Sequence, residues 1–247
     1  MRLDVYLADK NLYKSRSKAA EAIKKGLVTV NGKREKASYE VAEGDVIESS
    51  SVDRFVSRAG EQLAFALDGF GVDPKGLCLL DIGASTGGFT DCLLKNGAAF
   101  VYALDVGHGQ IDPAIACDER VKVYEGFNAR EAKKSDFDRE INMITMDVSF
   151  VSQTLIYPAC ADILPAGGKM ITLIKPQFEA GRKHIGKGGI VRDADGSVIR
   201  EILQKIDIAA SENGFTRIKT AVSPIAGGDG NTEYLALFIK GDGNEDR

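Results

Sequence analysis

A chain of 247 residues, 44% hydrophobic and 28% charged, can hold one large domain or a small one joined to a medium one, and this composition excludes wholesale disorder, collagen and a coiled coil. Four scattered cysteines without a Cys-x-x-Cys pair, together with only two histidines, His108 and His184, suggest neither a disulfide framework nor a metal site. The net charge of −4 conceals a division: residues 1–36 carry ten Lys/Arg against four Asp/Glu, a local +6, and the remainder is −10.

The first ten residues, MRLDVYLADK, carry acids where a secretory signal needs an apolar run, and no stretch approaches the ~18 apolar residues of a membrane span. The reading is a cytoplasmic protein with no membrane partner. Leu3, Tyr6 and Leu7 recur at helical spacing. A second apolar set, Ala19, Ala20, Ile23 and Leu27, follows Ser15 and Ser17 as candidate N-caps, with Gly26 as its stop. LVTVNGKRE then alternates about Asn31-Gly32, a pair that tolerates positive φ and predicts a β-hairpin. Residues 49–54, SSSVDR, have no apolar periodicity, so the chain divides into a domain over 1–50, a linker over 51–58 and a second domain over 59–247. The basic head resembles the S-four RNA-binding domain, with SRSKAAEAIKKGLVTVNG as the hallmark. That resemblance implies binding of structured RNA through the second helix and the hairpin, onto which Lys14, Arg16, Lys18, Lys24, Lys25 and Lys33 map. Clustered cations of this kind contact phosphates and read shape.

GLCLLDIGASTGGFTDCLLKNGA reads as strand, glycine turn and helix, closed by Asn96-Gly97. Gly83, Gly87 and Gly88 remove side chains where a ligand would lie against backbone, and the helix N-terminus offers free amides. Asp105 follows Gly83 near the offset at which an acid reaches ribose hydroxyls in nucleotide-binding folds. The Gly-x-x-x-Gly-Gly spacing is not the Gly-x-Gly-x-x-Gly of NAD and FAD sites, and an acid before the first glycine, Asp81, suits a cationic ligand. DIGASTGGF resembles the first motif of class I S-adenosylmethionine methyltransferases. The resemblance assigns Asp81, Gly83, Ala84, Ser85, Gly87, Gly88, Phe89, Asp105 and Val106 to that cofactor.

INMITMDVSF ends near Asp147 and KMITLIKPQF carries Lys175; an amphipathic helix with Val198, Ile199, Ile202, Leu203 and Ile206 precedes two more runs, TRIKTAVSP and TEYLALFIK, the second begun by Glu233. Continuous apolar runs alternating with helices predict an α/β domain around a parallel sheet covered on both faces. RFVSRAGEQL, DIGASTGGF, TMDVSF, LIKPQFE and SPIAGGDGNTEYL together resemble the hemolysin A-like (TlyA) family, an S-four domain followed by an FtsJ-type ribose 2′-O-methyltransferase domain. The implied fold is a Rossmann-like class I methyltransferase sheet with a small N-terminal α+β RNA-binding domain, and the implied partner is ribosomal RNA or a ribosomal subunit. A Lys-Asp-Lys-Glu tetrad carries over at Asp147, Lys175 and Glu233, whereas Gln62 stands at the first lysine's position. One lysine then faces two carboxylates, and Arg58 lies four residues before Gln62. Gln62 also keeps a second reading open, an RNA-binding or ribosome-assembly protein that retains the cofactor pocket with impaired catalysis. Cytolytic activity finds little support in a chain without an obvious basic amphipathic membrane segment.

Overall fold

The computed structural model describes residues 1–10, 12–13, 15–49, 54–193 and 195–242, and the chain divides into two units, Met1–Arg54 and Phe55–Arg247. Lys14 and linker residues 51–53 lie outside the described residues.

In the first unit, Leu3 and Leu7 sit one turn apart on α1 (Leu3–Asp9), and both are fully buried. Each contributes about 1.5–3 kcal/mol by leaving water. They pack on Ala19, Ala22 and Ile23 of α2 (Arg16–Lys24), which Ser15 caps by accepting from the Lys18 amide at 3.3 Å. The helices cover a three-stranded antiparallel sheet in the order β2-β1-β3, formed by β1 (Val28–Val30), β2 (Lys33–Arg34) and β3 (Ile47–Ser49). Asn31 and Gly32 turn the hairpin with φ of 52° and 75°, the conformation the Asn-Gly pair predicts. Asp4, buried between the helices, receives Arg2 at 3.0 Å and Arg16 at 2.8 Å, and these guanidiniums, Arg2 foremost, hold its carboxyl down at about 2.

The second unit begins at Phe55, which is buried with α3 (Ala59–Phe70), so residues 55–58 of the expected linker pack with this unit. Then follow β4 (Cys78–Ile82), α4 (Gly88–Lys95), β5 (Phe100–Leu104), α5 (Pro113–Ala116), β6 (Val121–Tyr124), β7 (Met143–Met146), α6 (Tyr157–Ile163), β8 (Lys169–Ile174), α7 (Pro176–Glu179), α8 (Ser197–Glu212), β9 (Phe215–Val222) and β10 (Tyr234–Lys240). The seven strands form one sheet in the order β6-β5-β4-β7-β8-β10-β9. Successive strand residues face opposite layers: Leu80 and Ile82 of β4 join α6 and α8 in one core, while Leu79 joins α3 and α4 in the other. Strands β4 to β8 pair in parallel, as continuous apolar runs predict. Strand β10 departs from that expectation and runs antiparallel to both β8 and β9. The segment between β9 and β10 contains no helix, so the chain returns as a hairpin instead of crossing over the sheet.

Candidate active site

From β4 the sheet grows outward through β5 and β6, then the chain returns to add β7 and β8 on β4's other side. Such a reversal opens a crevice at the C-terminal strand ends. A cavity of about 670 Å³ occupies it, lined by Gly83 and Ser85 after β4, Asp105 and Val106 after β5, Phe127 and Asn128 after β6, and Asp147 to Val151 after β7. This volume lies within the roughly 300–1,000 Å³ of small-molecule sites. Asp105 is held by two backbone amides: Oδ2 accepts from Ser85 N at 2.8 Å and Oδ1 from Gly107 N at 2.7 Å. A carboxylate has about four acceptor positions, so two more are available to hydroxyl donors. Ser85 makes its contact with φ at 49°, an uncommon conformation for a side-chain-bearing residue.

The turn's glycines mostly make room for the protein itself. A Cβ on Gly83 would stand 2.4 Å from the Asp147 carbonyl oxygen, so glycine lets the β4 turn nest on the chain leaving β7. On Gly88 it would stand 2.1 Å from Ser57 Oγ, at the approach to α3. Ala84, Gly87, Gly88 and Phe89 lie outside the cavity lining, and Phe89 belongs to the core shared by α3 and α4. Asp81 also lies outside it, fully buried, with Thr90 Oγ1 donating to Oδ2 at 2.7 Å and Thr145 Oγ1 to Oδ1 at 2.9 Å. Burial pushes this carboxyl up to about 7 against the pull of the two hydroxyls. Asp81 therefore braces the turn from beneath.

Asp147 and Lys175 leave the neighbouring parallel strands β7 and β8 at the same edge, and Lys175 Nζ lies 2.6 Å from Asp147 Oδ1. The same Nζ donates to Ser149 Oγ at 2.9 Å. Glu233 arrives from the other side because Tyr234 of β10 pairs with Ile174 of β8. Gln62, on α3, sends Nε2 to Glu233 Oε2 at 3.0 Å and to Ser223 Oγ at 2.9 Å, and both Gln62 and Glu233 are buried. Burial raises the Glu233 carboxyl above its ordinary range; the Gln62 hydrogen bond, Lys175 and Arg58 oppose the rise, and Asp147 adds to it. The four residues named from sequence thus form two pairs, an ion pair beside the cavity and a buried carboxylate with an amide partner. Of the four, Asp147 alone lines the cavity, and Lys175 beside it is placed to take a proton from a group presented there.

The comparisons with known proteins agree with this geometry. A family model described as FtsJ-like methyltransferase matches residues 55–240, and the S4 domain model matches residues 1–47. The chain belongs to the FtsJ-like methyltransferase family. It is 46% identical to "Hemolysin A" of Brachyspira hyodysenteriae, over 97% of this chain and 100% of that one. It is 36% identical to "16S/23S rRNA (cytidine-2'-O)-methyltransferase TlyA" of Mycobacterium tuberculosis, over 95% of this chain and 88% of that one. A solved structure of a candidate hemolysin from Streptococcus thermophilus is similar at a TM-score of 0.77 and 40% identity, covering 98% of this chain and 89% of the other.

In this FtsJ-like chain the S4 domain's cations are not equivalent. Arg16 is committed to Asp4, and Lys18 and Lys25 flank Glu21 at 3.4 and 2.7 Å. Lys24 and Lys33 are exposed. Ser149, Phe150 and Ser223 join the site without a sequence signal that singles them out. Phe150 has φ of 64°, is 92% exposed, and its ring lies 5.0 Å from that of Phe178. Among the described residues no cluster of His, Cys, Asp or Glu could hold a metal, and no helix is long and apolar enough to cross a membrane.

Proposed function

We propose that this methyltransferase transfers a methyl group from S-adenosylmethionine to a ribose 2′-hydroxyl of ribosomal RNA. The observation that carries the reading is that Asp147 both lines the cavity and holds Lys175 at 2.6 Å, so proton-transfer groups stand at the wall of a cofactor-sized space. The cavity suits that cofactor: the Asp105 carboxylate is fixed by two amides and open to a ribose diol, and Leu104, Val106, Phe127 and Ile156 offer apolar surface to a base. S-adenosylmethionine, when bound, supplies an electrophilic methyl on a sulfonium centre. A ribose hydroxyl is a weak nucleophile, and Lys175 Nζ, once it has shed its own proton, accepts the hydroxyl's proton. Asp147 and Ser149 fix Nζ from two directions. Glu233, just before the neighbouring strand β10, adds its negative charge to the same end of the sheet. Most of the protein's contribution is alignment of the reacting groups. Phe150 presents an exposed ring beside them, a surface on which a base of the acceptor strand stacks.

RNA as the acceptor is supported by the S4 domain, by its exposed cations Lys18, Lys24, Lys25 and Lys33, and by the activity for which the Mycobacterium tuberculosis relative is named. The test is transfer of tritiated methyl from S-adenosylmethionine to purified ribosomal subunits or total rRNA. Label is expected in rRNA. Cofactor binding with no labelled rRNA at any pH would favour the RNA-binding reading instead.

A further inference from the structure

We infer that Glu179 is a positioning residue for the transfer, clamping the loop that carries Ser149 and Phe150 onto the short helix that begins after Lys175. The inference rests on the function proposed above. Strands β7 and β8 are parallel neighbours, so the segments leaving them, residues 147–153 and 175–179, run side by side. Rungs join them along their length. Lys175 takes Asp147 at 2.6 Å and Ser149 at 2.9 Å, and Phe178 takes the Phe150 ring at 5.0 Å. At the far end Glu179 closes the ladder: Oε2 accepts from Ser152 Oγ at 2.6 Å and Oε1 from the Gln153 amide at 2.8 Å. Lys205 of α8 reaches the same Oε2 at 3.3 Å, and Glu179 is 7% exposed.

Phe150 is what this clamp holds. A left-handed backbone is strained for an aromatic residue and persists only where the surroundings impose it. Phe150 is 92% exposed, so burial of its own ring does not supply the constraint. Besides the Phe178 ring on one edge, the constraint comes from its flanks: Ser149 is tied to Lys175 on one side, and Ser152 and Gln153 are tied to Glu179 on the other. Gln153 carries the anchor inward, since its Oε1 accepts from the hydroxyl of the fully buried Tyr157 at 3.2 Å. Glu179 does not line the cavity and is not among the Lys175, Asp147, Glu233 and Gln62 contacts. It acts through Phe150.

A double-mutant cycle separates positioning from mere support of the fold. Glu179→Ala and Phe150→Ala are made singly and together, and kcat/KM for rRNA, the dissociation constant of S-adenosylmethionine and the melting temperature are measured. Glu179→Ala is expected to lower kcat/KM roughly tenfold in the native background and by less than about twofold in the Phe150→Ala background, with cofactor affinity unchanged. Equal losses in both backgrounds, no loss at all, or a parallel loss of cofactor affinity would overturn the inference. Should Glu179→Ala fail to fold, Ser152→Ala removes one rung alone and the same cycle is read on it. A wild type that methylates no RNA would defeat the proposed function. The cycle is then read on the dissociation constant of an rRNA fragment, which still decides the role of Glu179.

Discussion

Two halves of the candidate site hold a carboxylate at the same sheet edge with different partners. Asp147 has an ammonium at 2.6 Å, whereas Glu233 has the Gln62 amide at 3.0 Å and lies deeper. An amide supplies a hydrogen bond without a charge, so burial prevails and raises the Glu233 carboxyl. Asp81 is the limiting case: with two hydroxyl donors and full burial, it reaches about 7. Asp4 in the S4 domain is the converse, held at about 2 by two guanidiniums. Gln62 gives Glu233 a donor without a charge, and burial outweighs it.

Breaking the charged half should have the largest effect. Lys175→Met removes the group that takes the proton, and methyl transfer should fall by about 10²–10⁴-fold while S-adenosylmethionine still binds by calorimetry. Retained transfer would remove Lys175 from the chemistry.

The limiting case can be tested through stability. With its carboxyl raised from 3.8 to about 7, the folded state keeps a proton that the unfolded chain has lost, so Asp81's contribution is full below about pH 4 and disappears as pH rises through about 7. Asp81→Asn should therefore gain on wild type by up to about 1.4 kcal/mol per pH unit across that window. Melting temperatures measured against pH check this, and parallel curves for the two proteins would contradict it.

At the cavity's far wall, Asp105→Ala removes the anchor of the Ser85 and Gly107 amides together with the acceptor for a ribose diol. Hydrogen bonds to a charged group are worth about 1.5–3 kcal/mol, so cofactor affinity should fall roughly tenfold or more by calorimetry.

Making the two halves alike should have the smallest effect. Gln62→Lys places a cation beside Glu233, which should lower that carboxyl, extend its ionised range to lower pH and raise the rate on the acid side of the profile. The rising limb of the pH–rate profile should move to lower pH. An unmoved limb would show that the missing charge does not limit the reaction.

Local pattern made much of this legible in the sequence. Asn31-Gly32 announced the hairpin, the run through Asp81 and the glycine turn announced β4 and α4, and the offset to Asp105 brought two separated residues to one turn. What was not legible depends on partners distant in the chain. Gly88 accommodates Ser57, Gly83 accommodates the backbone of Asp147, and Arg16 turns to Asp4 across two helices. Asp81 points to Thr90 and Thr145 because the sheet places them around it, and no residue spacing reveals that. Phe150 reads as an ordinary apolar residue at the end of TMDVSF, and only the folded chain exposes its ring.

Whether Lys175 and its carboxylates act on a ribose hydroxyl is decided by nucleoside mass spectrometry of rRNA treated with the protein and S-adenosylmethionine. The expected product is a nucleoside bearing its new methyl on the 2′-oxygen, absent when Lys175→Met replaces wild type. A methyl found on a base, or a 2′-O-methyl that survives the loss of Lys175, would contradict it.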